Sequence, residues 1–281
     1  MADTTQRIAL LADVHGNQTA LEAVLADADA QGVTATWFLG DLFLPGPSAA
    51  GLVALLEARH PGVWLNGNWE GAMLEIADGT QPLTGPTVVY LAMLTQYAQR
   101  QLSAAQWQQV AARPFVTTRR VNGLTIVAAH NSRLAPDGRS LYPSQPQPAF
   151  DALAGDADLA VYGHTHQQLM RPSSQGQLIV NPGAVGQPYS PWPQFFKDQR
   201  AHYAILTIDP AGRLDVAFRK VPYDISREIA RAEAANLPYA DLYRHLRETG
   251  ETITHDQALL GRINRERGYD RAAQAAFGDR S

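Results

Sequence analysis

Ile8-Ala9-Leu10-Leu11-Ala12-Asp13-Val14-His15-Gly16-Asn17 is the stretch that decides the fold. Five apolar residues break off abruptly at an aspartate, and a histidine and a glycine follow within three positions. A short continuous apolar run bounded by turn residues reads as a strand buried on both faces. The same grammar recurs down the chain. The run from Thr36 to Leu39 meets Gly40-Asp41, and that from Val63 to Leu65 meets Asn66-Gly67-Asn68. Leu124 to Ala129 ends at His130, Leu159 to Tyr162 at Gly163-His164-Thr165-His166, and Leu178 to Val180 at Asn181-Pro182-Gly183. Helical spacing separates the first three runs, with Leu21, Val24, Leu25 and Ala28 on one face and Leu52, Leu55 and Leu56 on another. Strand–helix–strand alternation predicts an α/β fold whose parallel sheet carries right-handed crossovers. Ligands of such sheets bind beyond the carboxyl ends of the strands, where each of these polar residues falls.

The rest of the composition narrows the function. At 281 residues the chain suffices for one large α/β domain or a domain with appendages. An apolar fraction of 45% and a charged fraction of 18% exclude a disordered or fibrous chain. No apolar run approaches the roughly 20 residues that span a bilayer, so a membrane partner is not expected. Only Ile8 to Ala12 precede Asp13, too short a run for a signal peptide, so the default expectation is a cytoplasmic protein. The absence of cysteine rules out disulfides and thiolate metal sites. With a formal net charge of −4 and no basic stripe, the chain is not expected to grip long nucleic acid. Any affinity for phosphate must come from a local site.

Two segments interrupt the grammar. Residues 70–118 form an insertion with two expected helices, one from Thr87 to Gln101 and one capped by Ser103 with Gln106 three residues on, stopping before Pro114. Residues 131–148 form a loop rich in Pro, Ser and Gln. Either can supply a lid or substrate wall; for the insertion, a helical pair covering a sheet edge is an equal alternative. Farther on, Tyr203 to Ile208 and Leu214 to Val221 flank Asp209-Pro210-Ala211-Gly212 as an antiparallel hairpin. From Asp224 the pattern is helical, with the last dozen residues expected to fray, and this tail reads as packing or as a homo-oligomer contact, not chemistry.

The candidate ligands are Asp13, His15, Asp41, Asn68, His130, His164 and His166, a set of hard oxygens and borderline imidazole nitrogens suited to Mn, Fe, Zn, Co or Ni. Asp13-Val14-His15, Gly40-Asp41, Gly67-Asn68, His130 and Gly163-His164-Thr165-His166 occur in the order of the calcineurin-like metallophosphoesterase motifs, and residues 7 to about 222 resemble that superfamily. Gly16-Asn17, Gly46-Pro47 and Asn181-Pro182-Gly183 are similar to the flanks found in its YfcE-like phosphodiesterase group. The resemblance implies a four-layer α/β/β/α sandwich over residues 1–222, with the helical insertion at 70–118 and a helical extension at 223–281. It also implies a dinuclear centre, with Asp13, His15 and His166 on one divalent ion, Asn68, His130 and His164 on the other, and Asp41 bridging them; manganese is the first expectation. Two carboxylates and a hydroxide against two divalent ions leave about +1, an anion-attracting pocket in an acidic protein. The implied reaction is in-line hydrolysis of a small or nucleotide-like phosphodiester, with Asp41, His15, Asn68 and His130 closest to the chemistry. A phosphomonoesterase, a protein phosphatase or a dinucleoside-polyphosphate hydrolase would use the same metals. A non-enzymatic scaffold, like the retromer subunit related to this family, would need no such ligand set.

The chain departs from the family at Gly67-Asn68-Trp69-Glu70, where many members carry histidine after the asparagine to protonate the leaving group. General acid assistance is worth roughly 10²–10⁴-fold, so substrates with good leaving groups are expected. Trp69 either stacks on an aromatic group of the substrate or anchors the insertion by packing. Asn17 can contact phosphate or form a turn, Arg133, Arg139 and Arg200 are candidate phosphate clamps, and Asn181 is expected to shape the turn at the edge of the site.

Overall fold

The structure, a computed structural model, describes residues 4–278. Three strands open the chain, β1 (Gln6–Leu11), β2 (Ala35–Phe38) and β3 (Val63–Trp64), joined by α1 (Gln18–Ala30) and α2 (Ala50–Glu57). Helices α3 (Asn68–Asp78), α4 (Pro86–Gln99) and α5 (Ala104–Ala112) follow. The second half runs through β4 (Val116–Val121), β5 (Leu124–Ala129), α6 (Gln147–Ala154), β6 (Leu159–Tyr162), β7 (Gln168–Pro172) and β8 (Leu178–Pro182). Strands β9 (Ala201–Ile208) and β10 (Leu214–Val221) form the expected hairpin, and α7 (Ile225–Ala234), α8 (Ala240–Thr249), α9 (Gln257–Arg267) and α10 (Tyr269–Phe277) complete the described chain.

The strands form two five-stranded sheets, ordered β10-β9-β1-β2-β3 and β4-β5-β6-β8-β7. These are the two β layers that the resemblance implied. β1, β2 and β3 are parallel neighbours in one sheet and β5, β6 and β8 in the other. A strand buried on both faces hides which layer each face meets. Its side chains nonetheless alternate: Ile8, Leu10 and Ala12 enter a core between the sheets with Leu39, Ile126, Ala128, Leu159, Val161 and Val180. Ala9 and Leu11 point the other way, into a core with Leu21, Val24, Leu52 and Leu56 of α1 and α2. On the far side, Val127, Ala129, Ala160 and Tyr162 pack under Phe150 and Leu153 of α6. The result is the α/β/β/α sandwich, held by wholly buried aliphatic side chains worth roughly 1.5–3 kcal/mol each.

The insertion contains three helices, not two, and α3 begins at Asn68 itself. Its upper boundary falls inside β4, whose Thr117-Thr118-Arg119-Arg120 reads as polar loop because this edge strand faces solvent. The expected loop at 131–148 gives way to α6 at Gln147. Met73, Ile76, Val89 and Met93 share one core cluster with Leu260, Ala273 and Phe277, so the insertion and the tail cover the first sheet together. The expected fraying is corrected as far as Phe277, because α10 buries Ala273 and Phe277; residues 1–3 and 279–281, included in the expected domain ends, lie outside the described residues. No helix among the described residues is long and apolar enough to cross a membrane.

Candidate metal centre

Each candidate ligand sits where its strand has just ended. Asp13 and His15 follow β1, Asp41 follows β2, His130 follows β5, and His164 and His166 follow β6. Asn68 is the exception: it opens α3 directly after the Gly67 cap. Five of these residues hold left-handed backbone, with φ of 57° at Asp13, 51° at His15, 58° at Asp41, 64° at His164 and 60° at His166. Such conformations cost on the order of 1–3 kcal/mol each for residues other than glycine and persist only where the surroundings impose them. Here the loops brace one another. The amides of Asp13 and His15 donate to the carbonyls of Gly40 (2.9 Å) and Asp41 (3.0 Å), and that of Gly163 to His130 (2.9 Å). Gly67 permits the closest approach, since a Cβ there would overlap the Asp41 carboxylate.

Glu70 is a positioning residue that the sequence reading passed over. Wholly buried, its carboxylate accepts from the amides of Asp41 (2.9 Å), Leu42 (2.8 Å), Phe43 (3.2 Å) and Gly67 (2.7 Å). It fastens the Asp41 loop to the start of α3. A glutamate three residues after a helix cap is a capping-box signature, and that spacing was the available signal.

The seven side chains converge. His15 donates through Nδ1 to the Leu44 carbonyl (2.7 Å), which leaves Nε2 facing the site. That atom lies 3.0 Å from His166 Nε2 and 3.6 Å from Asp41 Oδ2. His166 Nε2 lies 3.6 Å from Asp13 Oδ1, and Asp13, His15, Asp41 and His166 each offer a ligand atom within 4.8 Å of the others. The other half mirrors this arrangement. His130 bonds the Leu39 carbonyl through Nδ1 (2.8 Å), and its Nε2 lies 3.1 Å from Asn68 Oδ1 and 3.4 Å from Asp41 Oδ2. Asn68 Oδ1 is also 2.9 Å from His164 Nδ1. Asp41 Oδ2 thus faces both halves, while its Oδ1 accepts from the Trp69 amide at 2.9 Å. The carbonyl partners of His15 and His130 fix their ring orientation, as outer partners of metal-ligating histidines do.

The electrostatics fit cations. Asp13, Asp41 and Glu70 are all buried in this small volume, and Asp13 Oδ2 has no hydrogen-bond partner among the described residues. Burial pushes Asp13 well above the ordinary carboxylate range, with Asp41 adding to the shift and His130 opposing it. For Asp41, burial is outweighed by His130, His15 and the Trp69 amide, which hold it below that range. Burial works against a charged His130, yet Asp41 pushes the imidazole up to about 9. Burial pulls His164 down to about 4 and lowers His15 and His166 as well, leaving neutral rings with lone pairs to give. Buried carboxylates in excess of buried cations, together with ring nitrogens in van der Waals contact, are a donor set that divalent ions would satisfy.

The softer candidates divide. Trp69 is half-buried against the helical core, with its ring edge-on to His15 at 5.4 Å between centroids. Asn17 takes the turn-forming role, the second of its two readings: it caps α1 by accepting from Ala20 (3.0 Å) and donates to Gly186 O (3.3 Å) and Tyr223 Oη (3.1 Å). Arg133 donates to the carbonyls of Leu153 (2.8 Å) and Ala154 (2.6 Å) at the end of α6, on the side where β6 begins. Arg200 is held by Asp198 at 2.7 Å. Arg139 stays near the site, 5.4 Å over the ring of Tyr142, which in turn lies edge-on to His164. Asn181 shapes the turn as expected, donating to Gly163 O (2.6 Å) and accepting from the Gly183 amide (2.9 Å).

Residues 7–211 match the family model of the calcineurin-like phosphoesterase superfamily domain. Among solved structures, a metallophosphoesterase from Sphaerobacter thermophilus is 28% identical over 88% of this chain and 99% of its own, with a TM-score of 0.65. A hypothetical protein from Pyrococcus horikoshii OT3 is 18% identical over the same shares, 88% and 99%, at a TM-score of 0.69. The phosphoesterase Yfce from E. coli is 18% identical over 77% of this chain and 100% of its own, at 0.42. No curated protein matches the chain significantly. A share of 88% is more than residues 1–222 supply, so the first two likenesses run into the C-terminal helices.

Proposed function

The chain belongs to the calcineurin-like phosphoesterase superfamily, and we propose that it is a dinuclear phosphodiesterase acting on a small or nucleotide-like diester. One observation carries the reading: Asp41 Oδ2 lies between two sets of side chains, 3.6 Å from His15 Nε2 and 3.4 Å from His130 Nε2. In this reading Asp13, His15 and His166 would hold one divalent ion and Asn68, His130 and His164 a second, with Asp41 available to both. Such ions supply Lewis acidity to the phosphoryl oxygens and lower the pKa of water. The chain's own contribution is placement. Glu70 and the left-handed loop residues fix the donors before substrate arrives, which is the preorganisation that electrostatic catalysis requires. Position 69 offers an indole where a proton donor would stand, so the leaving group departs without help from that residue and good leaving groups are favoured.

The test has two parts. Elemental analysis of protein purified without chelator should find close to two transition-metal ions per chain, manganese foremost. In Mn²⁺, bis(p-nitrophenyl) phosphate should be hydrolysed with a higher kcat/KM than the monoester. Metal-free protein that stays inert after reconstitution would overturn the enzymatic reading, and a preference for the monoester would overturn the diester assignment.

A further inference from the structure

Ser48-Ala49-Ala50-Gly51 begins α2 without the usual cap. Ser, Thr, Asp and Asn are preferred at that position because their oxygen accepts an early helix amide, and Ala49 has none to offer. The Ala49 amide itself is taken by Gln101 Oε1 at 3.0 Å. Those of Ala50 and Gly51 have no acceptor among the described residues. The serine stands one position too early to help. Ser48 is 8% exposed, and its hydroxyl makes no hydrogen bond among the described residues, yet its oxygen keeps accessible surface and is not sealed in the core.

That surface opens on a cavity of about 550 Å³ whose wall includes Gln18, Ser48, Gly51, Tyr97, Arg100 and Arg231, a size within the roughly 300–1,000 Å³ of small-molecule sites. None of the seven cage residues is on this wall. The turn from Gly46 to Ser48 stands between, with the Gly46 amide donating to His15 O (3.0 Å) and the Ser48 amide to Gly16 O (3.2 Å). Tyr97 Oη and Gln101 Nε2 both donate to Pro47 O, at 2.9 and 3.0 Å, and so hold Ser48 in place.

Charge on the wall has one sign. It carries two arginines and no carboxylate, in a chain whose net charge is −4. Arg231 has Glu22 at 3.5 Å and Glu228 at 3.8 Å. Arg100, at the end of α4, has no carboxylate within ion-pair distance among the described residues. A metal ion is therefore not the fit. A hydroxyl, two helix amides at a positive dipole end and a guanidinium all donate, and a tetrahedral oxyanion accepts from every one. The space exceeds what a bare ion fills, so the anion can carry an organic group.

We propose that this cavity is a second binding site of the chain, holding the phosphate group of a small molecule between Ser48, the open end of α2 and Arg100. It does not rest on the phosphodiesterase reading. Inorganic phosphate and ribose 5-phosphate are each titrated calorimetrically into the full chain as purified. At least one should bind at millimolar concentration or below, and the tighter one tells free ion from ester. Arg100→Met should weaken that binding about tenfold and Ser48→Ala about fivefold. Arg120→Met removes an exposed arginine of β4 and should leave it unchanged, as should Asp41→Asn, which alters the cage. The proposal is overturned if neither probe binds, or if Arg120→Met weakens binding as much as Arg100→Met does. It is overturned equally if Asp41→Asn abolishes binding that Arg100→Met keeps, because the anion then sits at the cage. Thermal melting identifies a variant that does not fold, and of Ser48→Ala and Arg100→Met the folded one decides.

Discussion

Two regions of this molecule bury charge, and they do so in opposite ways. At the strand ends, Asp13, Asp41 and four histidines aim donor atoms at one another, and His15 Nε2 and His166 Nε2 meet at 3.0 Å. Along the seam between α1, α7 and α8, buried Glu228 accepts from the Thr19 amide (3.1 Å), the Thr19 hydroxyl (2.6 Å) and the Tyr243 hydroxyl (3.1 Å). The seam's carboxylate is answered from within the chain, whereas at the strand ends Asp13 Oδ2 finds no hydrogen-bond partner among the described residues. Both places bury carboxylates; what differs is whether the hydrogen bonds close. A closed network holds helices together, and an open one marks a place for ligands.

The largest expected effect tests the open side. Asp41→Asn keeps the shape but removes the charge shared by both halves, and should lower kcat/KM on bis(p-nitrophenyl) phosphate by about 10³-fold or more, with metal content falling below two per chain; retained turnover would break the dinuclear scheme. The next compares one substitution in both regions. Glu70→Gln and Glu228→Gln should each cost about 1–3 kcal/mol of stability in urea denaturation, because an amide NH₂ then faces N–H or O–H donors. Only Glu70→Gln should also reduce metal content and kcat, since Glu70 braces the Asp41 loop; equal losses of activity in both variants would erase the distinction.

A smaller effect concerns protons. With its pKa pushed up to about 9, His130 carries a proton at neutral pH in the metal-free protein and must lose it to bind an ion. Apparent metal affinity should therefore rise with pH, by up to about tenfold per unit from 7 toward 9, and calorimetry in buffers of different ionisation enthalpy should register the released proton. The smallest effect is at position 69. Trp69→His should raise turnover of alkyl relative to aryl diesters by about tenfold, and an unchanged ratio would mean that no acid is missing there.

Much of this could be read in the sequence because strand ends announce themselves. The runs ending at His130 and at Gly163-His164 coincide with β5 and β6, and all seven candidate ligands meet in space. What could not be read depends on partners distant in the chain. Continuous apolar runs conceal face parity, so the two sheets emerge only when Leu10 is seen against Ile126. The β4 edge strand is polar, and β7 is too short and half-exposed to carry a period. Arginines are the least legible residues. Arg133 and Arg139 lie within seven positions of each other, yet one stabilises the end of α6 and the other sits over Tyr142 beside His164. The ring nitrogens of His202 find no hydrogen-bond partner among the described residues, and the sequence carries no mark of it, because satisfaction is a property of neighbours.

Asn68 rides on α3 while the other six ligands ride on loops, and α3 rests on α4 and α10. Rotation or sliding of that one helix would carry a single donor away and leave the remaining set standing. Helix α10 comes almost two hundred residues later in the chain, so the helix that carries Asn68 is held in part by a segment remote in sequence. A truncation that removed Tyr269–Phe277 would leave the Asp13 half built and unlatch the Asn68 half.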